Sequence, residues 1–226
     1  MFSEKMKLAD LLLTNYQLLD VFPRFGLGLG FGESTVKQMC DEKGLSASLF
    51  LLVCNLHTFD NYIPDSNTLT KVSLADLMYY LRNSHKNYIE NRMPEIIDRI
   101  FELIENYRVK NGKMLIGFCE KYIQEIITHF DYEEQIVFPY IEALLKGEKP
   151  AKYKIKEYER NHSDLDAALS DLKNILVKYL PAEYPIVIYR NVLIDLFLFE
   201  EDLSKHALLE DRILISLVEQ IESNRR

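Results

Sequence analysis

Three residues return at one interval along this chain, and that recurrence limits what it can fold into. His85, His129 and Glu133 are followed, 77 positions later in each case, by His162, His206 and Glu210. Four of the five histidines belong to this set. In each half the last two residues form a His-x-x-x-Glu step, which on an α-helix sets the side chains about 40° apart around the axis and one turn apart along it. The neighbouring residues are apolar: Ile126, Ile127, Phe130, Ile136 and Val137 around the first pair, and Leu203, Leu208, Leu209 and Ile213 around the second. Both pairs therefore belong on the inner faces of helices. A carboxylate there is costly unless it is paired or bound to a cation.

The donor set implies a two-metal site. Two bridging carboxylates fill about four coordination positions and four imidazoles about four more, which exceeds what one ion of ordinary coordination number can use. Mixed imidazole and carboxylate donors suit iron or manganese, with an oxo or hydroxo bridge completing the pair. Two octahedral ions offer about twelve positions, of which protein and bridge fill about ten. That leaves room for dioxygen, nitric oxide, peroxide or water. A lone histidine is more often a core or surface residue than a ligand, and His57, outside the repeat, keeps that plainer role. The alternative carboxylate pattern, Glu-x-x-His, occurs at Glu159 and His162 but is not repeated, because Arg82 precedes His85 at the matching place. Glu159 and Glu125 are candidates for orienting imidazoles, although a solvated face is the simpler role for both.

The rest of the chain reads as helix after helix. A first helix is expected over 5–22, closed by Pro23 and the glycines from Gly26 to Gly32. A second follows Ser34 over 35–43 and stops at Gly44, and a third runs from Leu49 to Phe59. Residues 1–60 form a small helical module, and the polar stretch after it makes residues 61–72 a linker. Ser73 and Asp76 resemble a capping box. Four long helices are then expected, over 74–107 with a kink or restart at Pro94, 113–145 with a bend at Pro139, 152–179 and 186–222. Turns around Asn111-Gly112, Lys146–Pro150 and Leu180–Pro185 join them. Short connections make neighbours antiparallel, so residues 73–226 are expected to form an up-down-up-down four-helix bundle in an all-α protein. The glycines at 26, 28, 30 and 32 are not a dinucleotide fingerprint: helix precedes them, and the sixth position counted from Gly28 is Glu33.

Composition narrows the partners. A net charge of −8 and a pI of about 5.2 leave no visible basic face for nucleic acid. No run approaches the roughly 20 apolar residues of a membrane span, and the N-terminus lacks the pattern of a signal peptide. Three cysteines (Cys40, Cys54 and Cys119) lack metal-type spacing and do not suit a secreted disulfide framework. A reducing cytoplasm is the expected compartment.

The phrase His129-Phe-Asp-Tyr-Glu-Glu-Gln-Ile-Val-Phe-Pro139 resembles the His-x-x-x-Glu-Glu-x-x-x-Phe-Pro signature of hemerythrin-like (HHE) di-iron proteins. With the N-terminal module, the chain resembles the repair-of-iron-centres (RIC) type. The resemblance implies a cytoplasmic protein with two oxo- or hydroxo-bridged iron ions, His85, His129, His162 and His206 as terminal ligands, and Glu133 and Glu210 as bridges. It implies a role in repairing iron–sulfur clusters damaged by nitrosative or oxidative stress, with damaged iron–sulfur proteins as clients and iron delivery as the means. Reduction of nitric oxide or peroxide is the alternative, and binding or sensing of dioxygen or nitric oxide a second. One departure stands out: Gly30 and Phe31 occupy the place of the type's N-terminal vicinal cysteines, and Cys40 matches a later one. That leaves docking, or formation of a homodimer, as the role of the module.

Overall fold

The computed structural model describes residues 1–107, 112–148, 153–161, 165–179 and 186–224. Among these no β-strand forms; one isolated bridge joins Lys7 and Thr35. The protein is all-α, as its periodicity predicts. No helix among the described residues is long and apolar enough to cross a membrane. The chain divides into two compact units. One comprises Met1–Ser84, Leu144–Gly147 and Lys205–Arg226, and the other His85–Ala143 and Glu148–Ser204.

The first unit begins with α1 (Leu8–Thr14) and α2 (Leu18–Val21), followed by a 3-10 turn over Phe22–Phe25. A single helix over 5–22 was expected, but Asn15 breaks it. Its backbone is extended (φ −143°, ψ 108°). Its amide donates to the His57 carbonyl (3.0 Å) and to Thr58 Oγ1 (3.1 Å), while its Oδ1 accepts from Gln17 N (3.0 Å). A short polar side chain that bonds nearby backbone competes with the helix. α3 (Val36–Lys43) starts one residue later than expected because Thr35, not Ser34, forms the capping box with Gln38. Gly44 ends it at φ 65°, a left-handed position that suits glycine. α4 (Ala47–Thr58) is capped by Ser46. Asp65 caps the short α5 (Ser66–Leu69) inside the polar stretch.

Phe22, Phe25 and Phe50 form a ring cluster that reaches Tyr80, with Phe25 and Tyr80 centroids 4.7 Å apart. Tyr80 lies on α6 (Leu74–Asn87), the helix that carries His85. The Asn83 side chain donates to the Arg24 carbonyl at 2.8 Å. The N-terminal helices thus grip α6 within two residues of that histidine.

The second unit contains segments of all four long arms. α7 (Met93–Tyr107), α8 (Gly112–Tyr132), α9 (Phe138–Leu145), α10 (Ile155–Asn161), α11 (Leu165–Tyr179) and α12 (Ile186–Leu209) come in order, the last residues of α9 and of α12 and all of α13 (Ile215–Asn224) belonging to the first unit. The loops read at Asn111, Lys149–Pro150 and Leu180–Pro185 lie outside the described residues. Leu115, Cys119, Tyr122, Ile126 and Phe130 line one face of α8, and Tyr189, Val192, Leu196, Phe199 and Leu203 one face of α12. Steps of three and four residues keep one stripe on one side of a helix. Ile96, Ile100 and Ile104 from α7 and Leu172 and Leu176 from α11 join the same buried cluster. Arg99–Asp195 and Lys173–Glu200 ion pairs tie α7 and α11 to α12 at the rim of that core.

Three wide turns with π-helical bonding interrupt these helices, over Tyr88–Arg92, Glu133–Val137 and Glu210–Leu214. Pro94 and Pro139 each come two residues after such a turn. A proline removes the N–H that the carbonyl four residues earlier would use, and those carbonyls, at Glu90 and Gln135, lie in mid-turn. The third turn has Ser216 in the corresponding place, so proline is not required for the feature. The expected kinks at Pro94 and Pro139 are therefore wide turns between consecutive helices.

Close packing at the start of α8 gives a direct check. A Cβ built on Gly112 would lie 2.4 Å from Ile104 Cγ2, and Ile104 is buried. Gly112→Ala should lower stability by about 1–3 kcal/mol, seen as an earlier midpoint in urea unfolding with unchanged slope.

Candidate metal centre

The core stripe of each arm runs straight into the repeated residues. On α6 the buried positions Leu74, Leu77 and Leu81 lead to His85; on α8 Tyr122 and Ile126 lead to His129 and then Glu133; on α12 Phe199 and Leu203 lead to His206 and then Glu210. The polar groups thus occupy sites where the periodicity calls for apolar ones. Glu133 and Glu210 have no exposed surface, and His85 and His206 are each 3% exposed. Each glutamate opens one of the wide turns. Such turns in long helices are frequent at functional sites, where they re-aim side chains.

The donor atoms pair within each unit. His85 Nε2 lies 3.1 Å from Glu133 Oε2, and His129 Nε2 lies 3.0 Å from Glu133 Oε1. His206 Nε2 lies 3.1 Å from Glu210 Oε1. The second unit thus brings two imidazoles onto one buried carboxylate, and the first unit pairs one imidazole with another buried carboxylate. Metal–ligand bonds of about 2.1 Å meeting at right angles set neighbouring donors about 3.0 Å apart, which is the spacing of these pairs. Buried carboxylates facing imidazoles match the donor chemistry of a transition-metal cation, so the residues fit the group that the repeat implies. His162, the remaining histidine of the repeat, lies outside the described residues.

Several side chains hold these donors in place. The His85 ring stacks on Phe130 (centroids 4.2 Å, 17° between planes) and runs nearly parallel to Phe138 (5.7 Å, 5°). Its Nδ1 lies 2.9 Å from Glu134 Oε1. A carboxylate that accepts the Nδ1 proton directs the Nε2 lone pair toward the site and makes that nitrogen a better donor. The Tyr158 hydroxyl, itself buried, donates to Glu133 Oε1 at 2.5 Å.

Sequence reasoning selected neither Glu134 nor Tyr158. Glu134 sits about 100° around the helix from Glu133, which reads as a different face. The signal that could have found it is the repeat, since Asp211 returns an acid at the same interval of 77. Tyr158 precedes His162 by four positions in the sequence, and nothing in the repeat marks it. The two acids considered as orienting groups fare differently. Glu125 pairs with Lys121 on an exposed surface (3.6 Å), and the Glu159 side chain lies outside the described residues. Tyr80, Tyr88 and Tyr122 are buried packing residues, whereas Tyr79 is exposed. Cys119 lies in the core cluster, its thiol pushed up to about 12 by burial.

Glu134→Ala removes the acceptor for His85 Nδ1 and leaves the donor set intact. It should weaken binding of a divalent cation about 10-fold, measured by titration calorimetry on the apo protein.

The family model described as the hemerythrin HHE cation binding domain matches residues 92–218. His129, Glu133, His162, His206 and Glu210 fall inside that span, and His85 lies shortly before it. No curated protein matches the chain in sequence. Because the family match covers more than half of the 226 residues, the chain belongs to the hemerythrin HHE cation-binding domain family.

Proposed function

We propose that this is a non-haem di-iron protein that helps repair iron–sulfur clusters damaged by nitrosative or oxidative stress, by delivering iron to them. The observation that carries the reading is the buried pairing of His85 and His129 with Glu133 in the second unit and of His206 with Glu210 in the first, together with a repeat that adds His162. Residues 73–226 hold the iron in this reading. The module of residues 1–60, joined through the linker at 61–72, serves in docking to a client or to a second copy of the chain.

Iron bound there would supply redox-active ions with open positions for nitric oxide, peroxide or dioxygen. The chain's own residues prepare the place. Glu134 sets the tautomer of His85, the Phe130 and Phe138 rings fix its plane, and burial of Glu133 and Glu210 keeps competing water from the carboxylates. In this reading delivery does not run through cysteine. Cys40 is buried, with its thiol pushed up to about 11, and Cys54 is fully buried with its thiol raised well above the ordinary range, in both cases mainly by burial. Raised values leave both thiols protonated at neutral pH, the poorly nucleophilic and poorly ligating form.

The test is reactivation of a nitric oxide-damaged cluster enzyme by the iron-loaded protein. Restoration of activity, with iron lost from the protein in step, is the expected result. His129→Ala and His206→Ala should each lower iron content and reactivation together, because each removes one ligand of the repeated set. Loss in only one variant would show that the halves are not equivalent in holding iron, and no reactivation by the intact protein would refute iron delivery.

A second reading, reduction of nitric oxide or peroxide, is favoured by one feature of the core. An apolar cavity of about 20 Å³ is lined by residues including Ile100, Cys119, Leu172 and Phe199. A small space lined by apolar side chains suits a small uncharged gas. Anaerobic turnover of nitric oxide by the ferrous protein would select this reading; binding without turnover would eliminate it.

A further inference from the structure

The repeat makes the ligands of the two halves alike, but the second unit breaks that likeness at one carboxylate. Glu133 presents its two oxygens to different imidazoles: Oε1 faces His129 Nε2 at 3.0 Å and Oε2 faces His85 Nε2 at 3.1 Å. Tyr158 donates to Oε1 at 2.5 Å. A contact of that length between a hydroxyl and a carboxylate is a strong, charge-assisted hydrogen bond. The phenol proton draws electron density from Oε1 and uses one of its lone-pair directions. Oε1 is therefore the poorer donor to a cation.

The other half does not repeat this phenol. The residue 77 positions before Tyr158 is Leu81, fully buried and unable to donate a hydrogen bond. The repeat keeps the histidines and glutamates, and it keeps an acid after each glutamate (Glu134 and Asp211), but it does not keep the tyrosine. The place equivalent to Tyr158 thus holds an apolar side chain.

We propose that Tyr158 is a positioning residue that makes the two halves of the duplicated site inequivalent, so that the cation shared by His129 and Glu133 Oε1 is released first. The inference rests on the di-iron reading and adds an order of release to it. A protein that hands over iron gains from one ion held more loosely than the other, because the second then keeps the site assembled.

The test compares the intact iron-loaded protein with Tyr158→Phe, which keeps the ring and removes the donor. Release to a ferrous chelator should show a faster and a slower phase in the intact protein, and Tyr158→Phe should slow the faster phase about tenfold while leaving the slower one in place. The Mössbauer spectrum of the loaded protein should show two unequal iron environments that draw together in the variant. An unchanged fast phase overturns the proposal. So does a phenolate-to-iron absorption band that the variant loses, because Tyr158 would then be a ligand itself. If the variant does not fold, the intact protein still decides: a single iron environment in its spectrum overturns the proposal, and two support it. A chain that holds only one iron overturns the di-iron reading and this inference together, whereas two irons with identical release in both proteins overturn this inference alone.

Discussion

Two carboxylates with no exposed surface set the terms for the rest of the structure. Glu133 and Glu210 sit at positions where the core stripes call for leucine or isoleucine. An unpaired charge there would cost several kcal/mol. Their imidazole neighbours, about 3 Å away, offset part of that cost without a cation, and a bound cation would offset more. The surrounding helices are long and well packed, with large aromatic rings such as Phe130, Phe138 and Tyr88 fully buried. Fully burying each ring contributes about 1.5–3 kcal/mol. An apolar core of this kind can carry a few costly polar groups.

The backbone is adapted at the same residues. The wide turns begin at the two glutamates themselves, and a third starts three residues after His85. Each inserts an extra residue into the helical repeat and so shifts the register of the residues beyond it. Past the turn at Glu133 the core stripe resumes at Val137, Phe138 and Ile141. A helix that must present a ligand and then return to packing uses the extra residue to do both. The N-terminal helices contribute from another direction: Phe25 against Tyr80 and the Asn83–Arg24 bond anchor α6 just ahead of His85.

The duplication is more exact in ligands than in surroundings. Histidine, glutamate and the acid after the glutamate all recur at 77, and the wide turn at Glu133 recurs at Glu210. Tyr158 and Pro139 do not recur; Leu81 and Ser216 stand in their places. A repeat of this kind preserves the donor set and leaves each half able to tune its own donors through neighbours.

Most of the fold was legible because its signals are local. Core spacing on α8 and α12 and the Gly44 stop depend on residues near one another in the chain. The error at α1 and α2 had a non-local cause: Asn15 bonds to His57 and Thr58, more than 40 residues away. The wide turns were half legible, since Pro94 and Pro139 signal a break but not its form, and the turn at Glu210 has no proline to announce it. At the site, the sequence by itself determined which histidines and glutamates recur and the period at which they do so, because identity and spacing are one-dimensional properties. Only the tertiary structure decided which oxygen of Glu133 meets which imidazole, that Glu134 reaches His85 and that Tyr158 reaches Glu133. Apart from His129 with Glu133, which are one helical turn apart, those contacts join residues 25 to 49 positions apart, and packing alone brings such residues together.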